Sequence, residues 1–163
     1  MVIYYYFFLI LSLFCLIEKS LSINVRNIIL FLISSLLIVF MGTRYFVGGD
    51  YNAYFKFYYN LGALDSFLIS IKTSGGDIGY NLLSYLLFYL GFDVNSLNLI
   101  SALIVVLSLI YYSLDHKYTA RIFLISFPIF IIVVAMGYTR QSIAIGLFLV
   151  ALTHLKNKKI LNF

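Results

Sequence analysis

Long uncharged apolar runs recur along the chain: Val2 to Ile17, Asn27 to Thr43, Leu97 to Leu114, Ile122 to Met136 and Ser142 to His154. A shorter one lies at Ile78 to Leu90. About twenty residues at 1.5 Å each cross a hydrocarbon core. Inside that core every backbone polar group needs an internal partner, which a helix supplies within one segment. Hydrophobic residues make up 63% of the sequence and charged ones 10%, against the roughly 25% charged of a soluble domain. Too little polar surface exists to face water all round. The sequence predicts an all-α, polytopic transmembrane helical bundle of five to six membrane segments, one integral-membrane domain over residues 1–163 in contact with the lipid bilayer.

The net charge is +5, but the basic residues stand between apolar runs. Lys117 with Arg121, and Lys156, Lys158 and Lys159, read as membrane-flanking charges that set orientation. A nucleic-acid partner would need a clustered basic face, and the sequence has none. Cys15 is the single cysteine and reads as packing inside the first run rather than as a reactive thiol. That run lacks the basic start and small-residue cleavage site of a secretory signal and is expected as a retained helix. His116 and His154 have no ligand-type neighbours at metal-binding spacing, and no phosphate loop or nucleophile elbow is present. No metal or cofactor is expected.

One polar island breaks the pattern: Arg44-Tyr45-Phe46-Val47-Gly48-Gly49-Asp50-Tyr51-Asn52-Ala53-Tyr54. Arginine suits bidentate phosphate recognition. Gly48-Gly49 permits a tight turn that returns Asp50 towards the guanidinium. Asp50 and Tyr54 share a helix face. An interfacial anchor and a plain Arg44–Asp50 loop closure are the structural readings of the same residues. Beyond the island, apolar residues up to Leu68 recur at helical spacing, which predicts amphipathic interfacial helices between the second and third hydrophobic segments. Ser74 to Asp77 is a turn signal. Asn95 or Ser96 is expected to cap the helix that follows, and Pro128 to kink its span.

Arg140 follows Gly137 and opens a helix that Thr139 can cap. Helix-end donors and a full charge favour an anion there, with Gln141 as a neutral companion. If Ile78 to Leu90 does not cross and the N-terminus is outside, seven basic residues fall inside and four outside. A six-crossing arrangement with the N-terminus inside gives eight against three. The uncharged start followed by Lys19 and Arg26 favours the first arrangement. That arrangement alone puts Arg44 and Arg140 on one face.

Gly42-Thr43-Arg44-Tyr45-Phe46-Val47-Gly48-Gly49-Asp50-Tyr51-Asn52-Ala53-Tyr54 resembles the Arg-Tyr-x-Val-Gly-x-Asp-Tyr-x-x-Tyr signature of the EpsG-like, Wzy-type polysaccharide polymerases. Tyr138-Thr139-Arg140-Gln141-Ser142-Ile143-Ala144 is similar to a second family stretch. Asp77-Ile78-Gly79-Tyr80 resembles a weaker one, with aspartate where the family more often has glutamate. The resemblance implies glycosyl transfer that joins undecaprenyl-pyrophosphate-linked repeat units of capsule, exopolysaccharide or O-antigen. That chemistry needs neither a metal nor a nucleotide sugar.

The resemblance also implies a bacterial inner-membrane location with residues 44–54 extracytoplasmic, and other polysaccharide-assembly proteins as partners. Family members run longer, so the chain is expected to be an N-terminal portion of a larger polymerase. The resemblance assigns Arg44, Asp50 and Arg140 to catalysis. Tyr45, Gly48, Tyr51, Tyr54, Asp77, Tyr80 and Gln141 fall to substrate binding. A flippase or transporter component for the same lipid, or an inactive truncated fragment, are the competing expectations.

Overall fold

The computed structural model describes residues 2–48, 51–62 and 77–156, and every regular element among them is helical. Helix α1 is Val2–Ile17, followed by the 3-10 turn Glu18–Ser20. Next come α2, Ile23–Gly42, and α3, Tyr51–Gly62. Helix α4 is Ile78–Tyr89 and α5 is Val94–Leu114. Helix α6, Thr119–Ser126, runs directly into a π-helical stretch, Phe127–Ala135, and α7 is Thr139–Lys156. Asp50, the apolar pattern beyond Gly62, the Ser74–Gly76 turn, Lys158 and Lys159 lie outside the described residues.

Several boundaries differ from the hydrophobic pattern, each for a local reason. Helix α2 begins four residues before Asn27, because the Arg26 N–H already donates to Ser22 O at 3.0 Å. Helix α7 likewise begins at Thr139, with Ser142 N–H on Tyr138 O at 3.0 Å. The cap of α5 is Asp93, not Asn95 or Ser96. Its carboxylate accepts from Ser96 N–H at 3.1 Å, Ser96 Oγ at 3.2 Å and Asn95 Nδ2 at 2.8 Å. The expected caps are therefore donors to the real one.

Pro128 is the second residue of the π-helical stretch. Proline lacks an N–H and its ring crowds the carbonyl four residues back. Widening the turn accommodates both effects, so the rod changes pitch at the proline. The wide register persists to Met136, whose N–H donates to Ile131 O.

Helix α5 is the spine, packed against α2 on one side and α7 on the other. A Cβ on Gly42 would lie 2.5 Å from Leu99 Cδ1 and 2.9 Å from Leu99 Cα, so glycine allows α2 and α5 to touch at backbone distance. One pole of the bundle gathers the end of α2 and the starts of α5 and α7 around Arg44. At the other pole Lys156 at the end of α7 meets Asp115 after α5 at 2.9 Å. Two buried hydroxyls inside the rods bond backwards, Ser101 Oγ to Leu97 O and Thr153 Oγ1 to Leu149 O. Each is thereby satisfied without water.

Helices α1, α2 and α5 are long and apolar enough to cross a membrane, and Thr119–Ala135 forms a shorter apolar rod. Helix α4 has twelve residues, about 18 Å of rise, well short of a hydrocarbon core. Both of its ends attach to the Arg44 pole. Near its start the Tyr80 ring lies 5.8 Å from the Arg140 guanidinium carbon, and its end turns straight into α5 through Gly91 and Asp93. Tyr58 Oη of α3 donates to Phe92 O in that turn at 2.9 Å. Both ends of α4 thus lie beside the elements that meet at Arg44.

Two cores follow from this layout. A large aliphatic core joins α1, α2, α5 and the α6/π rod around Leu37, Val105, Phe123 and Ile131. A smaller aromatic one joins α3, α4 and the first turns of α5 around Tyr58, Tyr80, Leu87 and Leu97.

Candidate functional site

At the end of α2 the Arg44 side chain turns inward and is only 7% exposed. Its Nη1 donates to Ala135 O, and Nη2 donates to Asn98 Oδ1 at 3.0 Å and Thr139 Oγ1 at 3.2 Å. The Ala135 carbonyl lies in the last turn of its rod, where carbonyls run out of intrahelical donors. A cation is also favoured at that negative end. One guanidinium thus ties together the end of the π-helical stretch and the starts of α5 and α7. Burial lowers the Arg44 pKa from its ordinary value, and the nearby phenols of Tyr80, Tyr54 and Tyr51 oppose the shift. Arg44 Nε and Asn98 Nδ2 are buried donors with no hydrogen-bond partner among the described residues.

The loop after Arg44 is pressed onto the same junction. Gly48 has φ of +100°, and a Cβ there would lie 2.8 Å from Met136 O and 2.9 Å from Gly137 Cα. Phe46 has φ of 52°, a left-handed conformation that costs a non-glycine residue strain. The turn displays Tyr45 and Phe46 outward, with ring centroids 6.0 and 5.0 Å from Tyr51.

Arg140 stands in the first turn of α7, half-buried and held differently. Its guanidinium carbon is 5.4 Å from the Tyr54 ring centroid, 5.5 Å from Phe57 and 5.8 Å from Tyr80. Three rings from α3 and α4 cage the cation by its faces. Its edge donors are not used by any described residue.

Beside the cage runs a groove of about 610 Å³ between α4, α5 and α7. Its polar end holds Asp77, Tyr80, Arg140 and Gln141, and its length is aliphatic, with Leu82, Leu83, Leu86, Ile104, Ile143 and Leu147. The cavity therefore suits a ligand with an anionic head and a hydrocarbon tail.

Of the residues singled out in the sequence, Tyr54, Asp77, Tyr80, Arg140 and Gln141 meet at the groove's polar end. Arg44 joins them through Thr139, the residue before Arg140: the Thr139 hydroxyl accepts from Arg44 Nη2. Tyr45 and Tyr51 form the neighbouring ring cluster, and Gly48 seats their loop. Asp50 lies outside the described residues.

Asn98 and Phe57 belong to the arrangement although the sequence does not single them out, and Thr139 reads there only as a cap. Asn98 carries a usable signal, being an amide inside an apolar span, where polar side chains are costly. Phe57 carries none, since one aromatic on an aromatic-rich helix looks like any other. His116 and His154 sit at the opposite pole on Tyr112 and Tyr111. Among the described residues no three His, Cys, Asp or Glu side chains cluster as metal ligands would.

A family model described as the EpsG family matches residues 27–163. The chain belongs to the EpsG family. The matched stretch contains the Arg44 network, the Arg140 cage and the whole groove, while α1 precedes it. EpsG membership carries a polysaccharide-polymerase role and agrees with a multi-pass helical membrane protein acting on lipid-linked glycans in general. No curated protein and no solved structure matches the chain.

Proposed function

We propose that this EpsG protein polymerises undecaprenyl-pyrophosphate-linked repeat units by glycosyl transfer at the outer face of the cytoplasmic membrane. The observation that carries this reading is the groove, an aliphatic channel ending at a caged arginine. The polyprenyl chain lies along Leu82, Leu86, Ile104 and Leu147, and its pyrophosphate meets the edge donors of Arg140. In the transfer an acceptor hydroxyl attacks the anomeric carbon of the donor sugar. The bond from that carbon to the pyrophosphate breaks, and the leaving oxygen takes the electron pair. Cationic stabilisation of that developing charge is the main catalytic demand. Desolvation by the Tyr54, Phe57 and Tyr80 rings strengthens it.

Asp50 activates the acceptor hydroxyl or orients Arg44, and the exposed Asp77 at the groove's polar end is the second carboxylate turned to the substrate. With both Nη atoms committed to the protein, Arg44 contributes a fixed positive charge and holds the first turn of α7 in register. Tyr45, Tyr51, Tyr54 and Gln141 line the glycan path.

Arg140→Lys keeps the charge and removes the planar fork. Polymer should fall about a hundredfold, while lipid-linked single repeat units persist. Unchanged chain length in both Arg140→Lys and Arg140→Ala cells would overturn the assignment. Purified protein in vesicles with lipid-linked repeat units separates polymerase from flippase: lengthened glycan supports the former, relocation without lengthening the latter.

A further inference from the structure

At the pole opposite Arg140, three cations converge on one ring. Arg121 Cζ lies 4.0 Å from the Tyr118 centroid, Lys117 Nζ 5.4 Å and Lys19 Nζ 5.6 Å. Lys117 and Tyr118 immediately precede α6 and Arg121 stands in its first turn, whereas Lys19 arrives from the 3-10 turn after α1. A buried contact fixes the two segments against each other, in which Glu18 Oε1 accepts from Ala120 N–H at 3.1 Å. Glu18 is 5% exposed, and its Oε2 has no hydrogen-bond partner among the described residues. The carboxylate thus does the capping that Tyr118, the residue before α6, does not, and leaves Lys19 beside Arg121.

The cations themselves are left unneutralised. Among the described residues none of the three makes an ion pair. Asp115 is engaged by Lys156, and Asp77 and Asp93 belong to the Arg44 pole. Glu18 offsets at most one of the three charges. Like charges gathered around one ring repel unless an anion sits among them, and all three side chains remain open to the outside. They follow a membrane-crossing helix at one end and begin an apolar rod at the other. That is headgroup depth, where tyrosine and basic side chains meet lipid phosphates.

We propose that Lys19, Lys117 and Arg121, arranged around Tyr118, bind the phosphate headgroup of an anionic phospholipid on the membrane face opposite the Arg140 groove. Lys19 and Arg121 clamp the phosphate from two segments that Glu18 holds together, and the acyl chains lie against the exposed aliphatic surface of α1 and α6. The site draws on nothing in the polymerase reading.

Full-length protein reconstituted with equal phosphatidylglycerol and phosphatidylcholine, then examined by native mass spectrometry, tests the site. The wild type should retain phosphatidylglycerol in preference. The preference should drop about fivefold for each charge removed, taking about 1 kcal/mol per surface cation, in Lys19→Gln, Lys117→Gln and Arg121→Gln. Arg140→Gln should leave it intact, which separates this site from the groove. The charge-retaining pair Lys19→Arg and Arg121→Lys should also keep it, guarding against loss through misfolding. Equal retention of both lipids by the wild type, or a preference untouched by Lys19→Gln and Arg121→Gln together, would overturn the proposal. So would thermal stabilisation by inorganic phosphate, in zwitterionic detergent, as large as that by phosphatidylglycerol.

Discussion

Gly48 shows how far one backbone position controls the arrangement at the Arg44 pole. Its φ of +100° suits glycine, and a Cβ would collide with backbone atoms of Met136 and Gly137 that cannot swing away. Gly48→Ala should therefore cost about 1–3 kcal/mol and displace the Tyr45–Phe46 turn. Among the described residues no atom lies within 4 Å of where an alanine methyl on Gly137 would stand, so Gly137→Ala should stay within about 0.5 kcal/mol. Chemical unfolding in detergent compares the two, and equal losses would refute the contact. Both glycines stand out in the sequence as breaks. Only their surroundings separate the one that must be glycine from the one that need not be.

Among the elements, the α2–α5 and α5–α7 crossings both use a small residue, with different tolerance. A methyl on Gly42 meets the Leu99 backbone at 2.9 Å, whereas one on Gly146 meets Ser108 Oγ at 3.2 Å. Gly42→Ala should destabilise by about 1–3 kcal/mol through overpacking, and Gly146→Ala by much less, because a serine rotamer can move. Similar melting shifts for the two would contradict this.

The cap of α5 adds a pH dependence. The Ser96 backbone N–H, with side-chain donors from Asn95 and Ser96, holds the Asp93 carboxyl below its usual range, partly offset by desolvation. A carboxylate with a depressed folded pKa contributes stability above its unfolded value of about 3.9, and loses it as pH falls through the lower folded value. Unfolding midpoints should be flat from neutral pH to about 5 and decline below about 4. In Asp93→Asn that decline should shrink, and Asp93→Ala should cost about 1 kcal/mol at neutral pH. A wild-type acid profile retained by Asp93→Asn would count against the cap.

At the scale of the whole molecule, the position of both ends of α4 beside the elements that meet at Arg44 makes a topological prediction. In a Cys15→Ser background, Asp77→Cys and Asn95→Cys should label from the same side of sealed vesicles, and Lys117→Cys from the other. Labelling of positions 77 and 95 from opposite sides would mean that α4 crosses. Three of the six apolar runs could be read directly as helices long and apolar enough to cross a membrane, because length and absence of charge are one-dimensional properties. The run at Ile78 could not, since a helix of twelve residues suits several placements, and the neighbours of Tyr80 and Phe92 become visible only in three dimensions. The site divides the same way. Sequence by itself marked Arg44, Tyr54, Tyr80 and Arg140 as chemistry set between lipid-facing runs, since charge and backbone breaks are costly there. It paired Arg44 with Asp50 by nearness along the chain. Tertiary structure supplied Asn98, Thr139 and Ala135 as the buried partners of Arg44, and three rings as the cage of Arg140. Those partners come from helices distant in sequence, and which helix ends meet is decided by packing along α5.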